Sequence, residues 1–379
     1  MKLASLKIVI FYFLTFVGLT GYAQNNESSK SKELDKLDSL AFVFYEKSDA
    51  KNAEITAYKI LDKLKNRPAN LYQINAYTLL GIINKNRGYY ISSLENYIHA
   101  LNLSEKIKDK GRVSACLNNI GVIYQLQKNY KQAIKYFSRS LQIEEKGKNQ
   151  LQKSIRYYNL GDSYKELKKY DLALSYFNNS LIIEEKFKNN EGIIFANLGI
   201  VEVYLNLKNE YQAKMILDKI EKIIKNAQLE ENIVYSKLQG QYNFQVNNFG
   251  NALSFLSEAE DLSLKNQIWN HILDIYLLKI AVFEAQYNIA NANKIYKKYI
   301  LKNNELTNSE IKNQIEDLTY KNELTKKELE IKLVQEERNL ALKNEKYEQK
   351  ITWFVLLILL LSIGLILFGI KKLTSEKQQ

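Results

Sequence analysis

The sequence predicts an all-α array of helical hairpins. Three observations carry that prediction: a 40-residue period, small residues at two fixed places within it, and a single proline in 379 residues. With Gly161 at offset zero, the equivalent positions are Ala41, Gly81, Gly121, Gly161, Val201, Gly240 and Ile280. Twelve residues after each stands Ala53, Ser93, Ala133, Ala173, Ala213, Ala252 or Ala292, and three after each stands Phe44, Asn84, Tyr124, Tyr164, Tyr204, Asn243 or Phe283. Small residues at 0 and +12 let two antiparallel helices approach closely, and the +3 side chains fill the space beside them. One hairpin cannot bury its apolar face alone, so the pattern implies a stack.

Each copy should give a first helix around its offset-zero residue and a second from about +9 to +24, fourteen helices in all, with turns such as Gln127 to Asn129 and Lys168 to Lys169. Between copies lie the polar clusters Lys108 to Arg112, Lys146 to Gln152 and Lys186 to Glu191. Gly111, Gly147 and Gly192 in or beside them suit helix ends. No stretch alternates apolar and polar residues as a strand would.

Leu160, Gly161, Tyr164, Tyr170 and Ala173 together carry a resemblance to the tetratricopeptide repeat (TPR) family. It extends over roughly Glu33 to Leu301. The resemblance implies a right-handed α-solenoid of about seven TPR-like hairpins, assigned to residues 33–303, whose first helices line a concave face. The family's helix-closing proline is missing here, since Pro68 is the sole proline, and the 40-residue period implies a longer second helix or turn.

Offsets −3, +1 and +4 fall on one stripe of a first helix. On the face implied by the resemblance they nominate Thr78, Ile82 and Lys85; Asn118, Val122 and Gln125; Tyr158, Asp162 and Lys165; Leu198, Glu202 and Leu205; and Lys237, Gln241 and Phe244. The polar members, Thr78, Lys85, Asn118, Gln125, Tyr158, Asp162, Lys165, Glu202, Lys237 and Gln241, are the candidate peptide-groove residues, with amides for a backbone and charges for side chains.

Catalytic chemistry finds no foothold. The two histidines, His99 and His271, lie in different copies, and Cys116 sits at an inward-packing position. There is no zinc-type spacing and no phosphate-cradling glycine loop, so no metal or cofactor is expected, and the protein reads as a non-enzyme. A net charge of +12 would suit nucleic acid, but the basic residues are interspersed with acids and form no stripe, so no nucleic acid is expected as a partner.

The two ends read as targeting segments. Lys2 and Lys7, the apolar run Ile8 to Leu19 and Gly21-Tyr22-Ala23 predict a signal peptide over 1–23, then a flexible leader over 24–32. Residues 304–350 are charged. From Ser309 to Lys350 they hold no glycine or proline, and Asp317 to Lys321, Glu323 to Lys327 and Glu328 to Lys332 form favourable i,i+4 pairs. This linker helix has a broken apolar seam (Ile311, Ile315, Leu318, then Leu333, Leu340, Tyr347), which fits either a solitary helix or a weak parallel homodimer through 309–350. Ile351 to Ile370 is uncharged and apolar enough to predict a transmembrane helix, followed by a short cytoplasmic tail over 371–379. The expected protein is therefore a single-pass inner-membrane protein with a periplasmic, protein- or peptide-binding repeat domain. The layout also resembles the sensor half of TPR histidine kinases or helix-turn-helix regulators, and the alternative is such a sensor lacking, or separated from, its output domain.

Overall fold

The computed structural model describes residues 30–144 and 149–376, the side chains of 30, 31, 322, 327, 328, 352 and 355–376 excepted. Among the described residues there are fourteen helices and no strand. Paired as hairpins they are α1 (Lys30–Glu46) with α2 (Ala50–Lys63), α3 (Leu71–Arg87) with α4 (Tyr90–Lys106), α5 (Lys110–Leu126) with α6 (Tyr130–Glu144), and α7 (Gln150–Glu166) with α8 (Tyr170–Phe187). Then follow α9 (Asn190–Asn206) with α10 (Glu210–Ile224), α11 (Leu229–Gln245) with α12 (Phe249–Lys265), and α13 (Ile272–Ala285) with α14 (Ile289–Glu376). The chain forms two compact units, one through Asp317 and one from Leu318.

The period sets the packing. All seven offset-zero residues and all seven +12 residues are buried, and Ser93 Oγ donates to the Gly81 carbonyl across one such crossing at 2.7 Å. A third position completes the crossing. A Cβ on Gly81 would lie 2.5 Å from the Tyr97 ring, one on Gly121 2.5 Å from Phe137, and one on Gly161 2.8 Å from Phe177. The glycine is thus a socket for a ring sixteen residues on, and in the fifth hairpin Val201 is matched by the smaller Leu217. At +3, Tyr124 stacks on Tyr136 and Tyr164 on Tyr176, each with centroids 5.4 Å apart.

The missing proline is explained by how helices stop. Ser48, Gly88, Lys108, Lys128, Lys168, Lys188, Lys208, Asn247, Gln267 and Tyr287 all have positive φ. At each of the best-formed turns the next residue then bonds back five residues, as Lys169 N to Tyr164 O at 2.9 Å and Asn209 N to Tyr204 O at 2.9 Å, which is a Schellman closure. That following residue also caps the next helix: Asp49, Asp109, Asn129 and Asn209 each accept from the amide three residues on. The 40-residue period is two such halves, each a helix of about seventeen residues and a turn of two or three. A left-handed lysine costs about 1 kcal/mol that glycine does not. Lys208→Gly is therefore expected to raise unfolding stability by about 0.5–1 kcal/mol in urea titrations.

The residues of the linker expected over 304–350 are helical, and they continue the second helix of the last hairpin without a break from Ile289 to Glu376. One expectation is corrected here: the membrane span at 351–370 does not stand. Among the described residues no helix is long and apolar enough to cross a membrane. The side chains of 352 and 355–370 lie outside the described ones. The single-pass inner-membrane localisation rested on that span and falls with it. The expected signal peptide over 1–23 and residues 24–29 of the leader lie outside the described residues, as do Gly147 and the tail from 377.

In the unit from Leu318, Leu318, Leu329, Leu333, Leu340 and Tyr347 are exposed along α14. The homodimer expected through 309–350 is not carried into the functional reading.

Candidate functional site

The first helices bring five of the nominated residues into one ladder. Gln125 on α5 donates to Asp162 Oδ2 on α7 at 2.6 Å, and Asp162 Oδ1 accepts from Lys165 Nζ at 2.8 Å. Lys165 also reaches Glu202 on α9 at 2.7 Å. Glu202 is 3.4 Å from Lys237 on α11, whose ammonium lies 3.9 Å from Asp274 on α13. The rule behind it is simple: with a 40-residue period, the +4 residue of one first helix faces the +1 residue of the next, 37 residues on. The same interval builds a second row, in which Asn75 donates to Asp38 at 2.9 Å and Arg112 to Asn75 at 3.1 Å.

The ladder is electrostatically tight. Burial opposes the charge of Lys165, but Asp162 and Glu202 outweigh it and hold its pKa well above the usual lysine value. Burial likewise pushes the Glu202 carboxyl up, yet Lys237 and Lys165 more than compensate and bring it down to about 2. His271, at the start of α13, is depressed to about 4 by burial and by Lys237, so it stands neutral beside the ladder at pH 7. Lys85 is different. Its +1 neighbour is Val122 where the other copies place Asp162 and Glu202, and burial lowers its pKa.

The other nominated residues are engaged elsewhere. Asn118 is buried and accepts from Asn159 at 2.9 Å. Thr78 lies beside Cys116, whose thiol burial pushes up to about 12, which suits a packing role and not a nucleophile. Tyr158 packs between Phe177 and Phe195, with centroids at 5.4 and 5.8 Å, and burial raises its phenol. Gln241 and Phe244 are half-buried, and Ile82, Leu198 and Leu205 are core residues. Sequence reasoning missed Asp274 and His271 at the far end of the ladder. The 37-residue complementarity between Lys237 and Asp274 was the signal that could have found the first.

His99 stacks on Tyr77 at 4.9 Å. Among the described residues no group of three or more histidine, cysteine or acidic side chains could hold a metal. A cavity of about 520 Å³ lies between α10, α11 and α12, lined by Lys214, Tyr235, Gln239, Tyr242, Phe255 and Glu258 among others. It shares no residue with the ladder and holds no catalytic grouping, so the ladder remains the candidate site.

A sequence profile of the tetratricopeptide repeat family matches residues 72–146 and again 113–186. Residues 72–186 are tetratricopeptide repeats. The TPR fold also accounts for the hairpins outside that stretch, as solved structures show. The apo form of RapI superimposes with a TM-score of 0.64 over 73% of this chain and 99% of its own, at 14% identity. A Rap protein complexed with Competence and Sporulation Factor gives 0.58 over 73% and 76%, at 15% identity. A tetratricopeptide repeat protein from Parabacteroides merdae gives 0.53 over 75% and 99%, at 19% identity. At such identities the likeness is one of fold. No curated protein matches the chain.

Proposed function

We propose that this TPR protein is a non-enzymatic binding module whose first-helix face takes an extended segment of a protein partner. The observation that carries the proposal is the ladder: charges of alternating sign, Asp162, Lys165, Glu202, Lys237 and Asp274, arrive from four successive first helices on one face. A partner with complementary charges exchanges one ion pair for another at little net cost, whereas a mismatched one leaves a desolvated charge alone. The fold likeness to a Rap protein complexed with Competence and Sporulation Factor supports the same reading.

Geometry narrows the partner. Packed helices sit about 8–10 Å apart, and an extended chain advances about 3.3 Å per residue, so one rung meets roughly every third residue. Peptides selected on the full chain from a random library are expected to carry charges of alternating sign at three-residue spacing. Of the candidate groove residues outside the ladder, Asn118 and Tyr158 support the face from beneath by their packing, and the half-buried Gln241 is the one that would flank the bound segment. Selection that enriches no such spacing would overturn this reading. The sensor alternative depended on a membrane span and is not carried forward.

A further inference from the structure

The interactions described so far join one hairpin or adjoining hairpins, as expected of a solenoid. One set does not. Near the end of the first compact unit, α14 returns to the turn between α3 and α4, more than 220 residues earlier in the chain. Asp317 Oδ2 accepts from the Ile91 amide at 2.8 Å, and its Oδ1 accepts from the Ser92 amide at 3.2 Å and from the Ser92 hydroxyl. Tyr89 donates its phenol proton to Glu316 at 2.9 Å. Asp317 is 2% exposed, so this carboxylate is committed to the contact and not to solvent.

The receiving turn is built differently from its equivalents. Where α2, α6, α10, α12 and α14 are capped by Asp49, Asn129, Asn209, Asn248 and Asn288, the equivalent residue before α4 is Tyr89, which, like Lys169 before α8, makes no side-chain cap. Among the described residues, only at α4 does an acidic residue of α14 take that place. The left-handed residue there is Gly88, where the equivalent turns use Ser48, Lys128, Lys168, Lys208, Asn247 and Tyr287. A Cβ on Gly88 would come 2.7 Å from the Asn313 amide, so the glycine also leaves room for α14. At its root α14 is held by Lys298, which joins Lys279 on buried Glu260 at 2.7 Å, and by Lys302, whose ammonium sits 3.3 Å from the centre of the Trp269 ring.

We propose that α14 is a latch: Asp317 caps α4 in trans and thereby fixes the spacing of the second and seventh hairpins, and release of that cap lets the repeats between them rearrange. A stack whose units touch only their neighbours yields by small rotations at every interface, and a contact between its second and last members removes that freedom. The contact is polar and solvates readily once parted, as a switchable contact requires. It stands whether or not the ladder face binds anything.

The test uses nitroxide pairs at Lys59→Cys on α2 and Lys265→Cys on α12, two exposed positions, in the full chain; the one native thiol, Cys116, is buried. In Asp317→Ala the pulsed-resonance distance distribution should broaden, and the amides of Ile91 and Ser92 should exchange about tenfold faster. A second variant, Tyr89→Asn/Asp317→Ala, supplies α4 with a cap of its own. It should restore slow exchange at those amides while the broad distribution persists. An unchanged distribution in Asp317→Ala, or one restored by the local cap alone, would overturn the latch.

Discussion

Glu202→Ala is expected to lower the stability of the array by roughly 2–4 kcal/mol. It leaves Lys165 and Lys237, with side chains 10% and 6% exposed, facing each other without the carboxylate between them. Breaking a buried pair from one side costs about 3–5 kcal/mol, and Glu202's 27% exposure discounts that figure. The pH dependence gives an independent check. The Glu202 carboxyl is depressed from the ordinary 4.5 to about 2, so its contribution is fully present above pH ~4.5 and is lost as pH falls toward 2. His271 adds a loss in the same direction between about pH 6.5 and 4, because it is protonated more readily when unfolded. In urea titrations at several pH values, Glu202→Gln should keep the His271 part of the acid loss and show less of the loss below pH 4.5. Equal slopes for parent and variant below that pH would contradict the ladder's electrostatics.

The second large effect belongs to the glycine sockets. Gly121→Val places side-chain carbons where the Phe137 ring already lies 2.5 Å from an added Cβ, and overpacking of that kind costs about 1–3 kcal/mol or more. Phe137→Leu alone should cost on the order of 1 kcal/mol. The double variant reproduces the Val201 and Leu217 pair of the fifth hairpin, so it should be more stable than Gly121→Val. A favourable coupling of about 1–3 kcal/mol in the double-mutant cycle is the expected result. Simple additivity would mean that the glycine and the ring do not share one space.

The fold was legible because its signal repeats. Gly121, Ala133 and Tyr124 each have counterparts 40 residues away, and the structure buries all the offset-zero and +12 positions, including the irregular Val201 and Ile280. The helix stops were not legible: a lysine at Lys168 or Lys208 carries no mark of left-handed backbone, and only the hydrogen bonds of the turn reveal it. Of the ladder, Gln125, Asp162, Lys165, Glu202 and Lys237 were nominated from helical spacing. Their mutual pairing required the distance between adjoining first helices. Tyr158, Asn118 and Thr78 were nominated by the same spacing, yet aromatic packing, a neighbouring amide and a thiol occupy them. The span at 351–370 failed as an inference because an apolar run by itself does not show a membrane helix, and the described residues contain none. Asp317 looked like half of an i,i+4 pair, and its role as a distant cap depends on a contact that no local pattern encodes.

The claim that the first-helix face is the binding surface is tested most directly by affinity. A peptide selected on the parent chain is measured against Lys165→Ala and, as a control remote from the ladder, Lys219→Ala, which removes an exposed pair with Glu185 on the second helices. Lys165→Ala is expected to weaken binding at least about tenfold, the loss of one desolvated ion pair, while Lys219→Ala leaves it unchanged. Equal affinity for all three chains, or a loss confined to Lys219→Ala, would place the binding surface elsewhere.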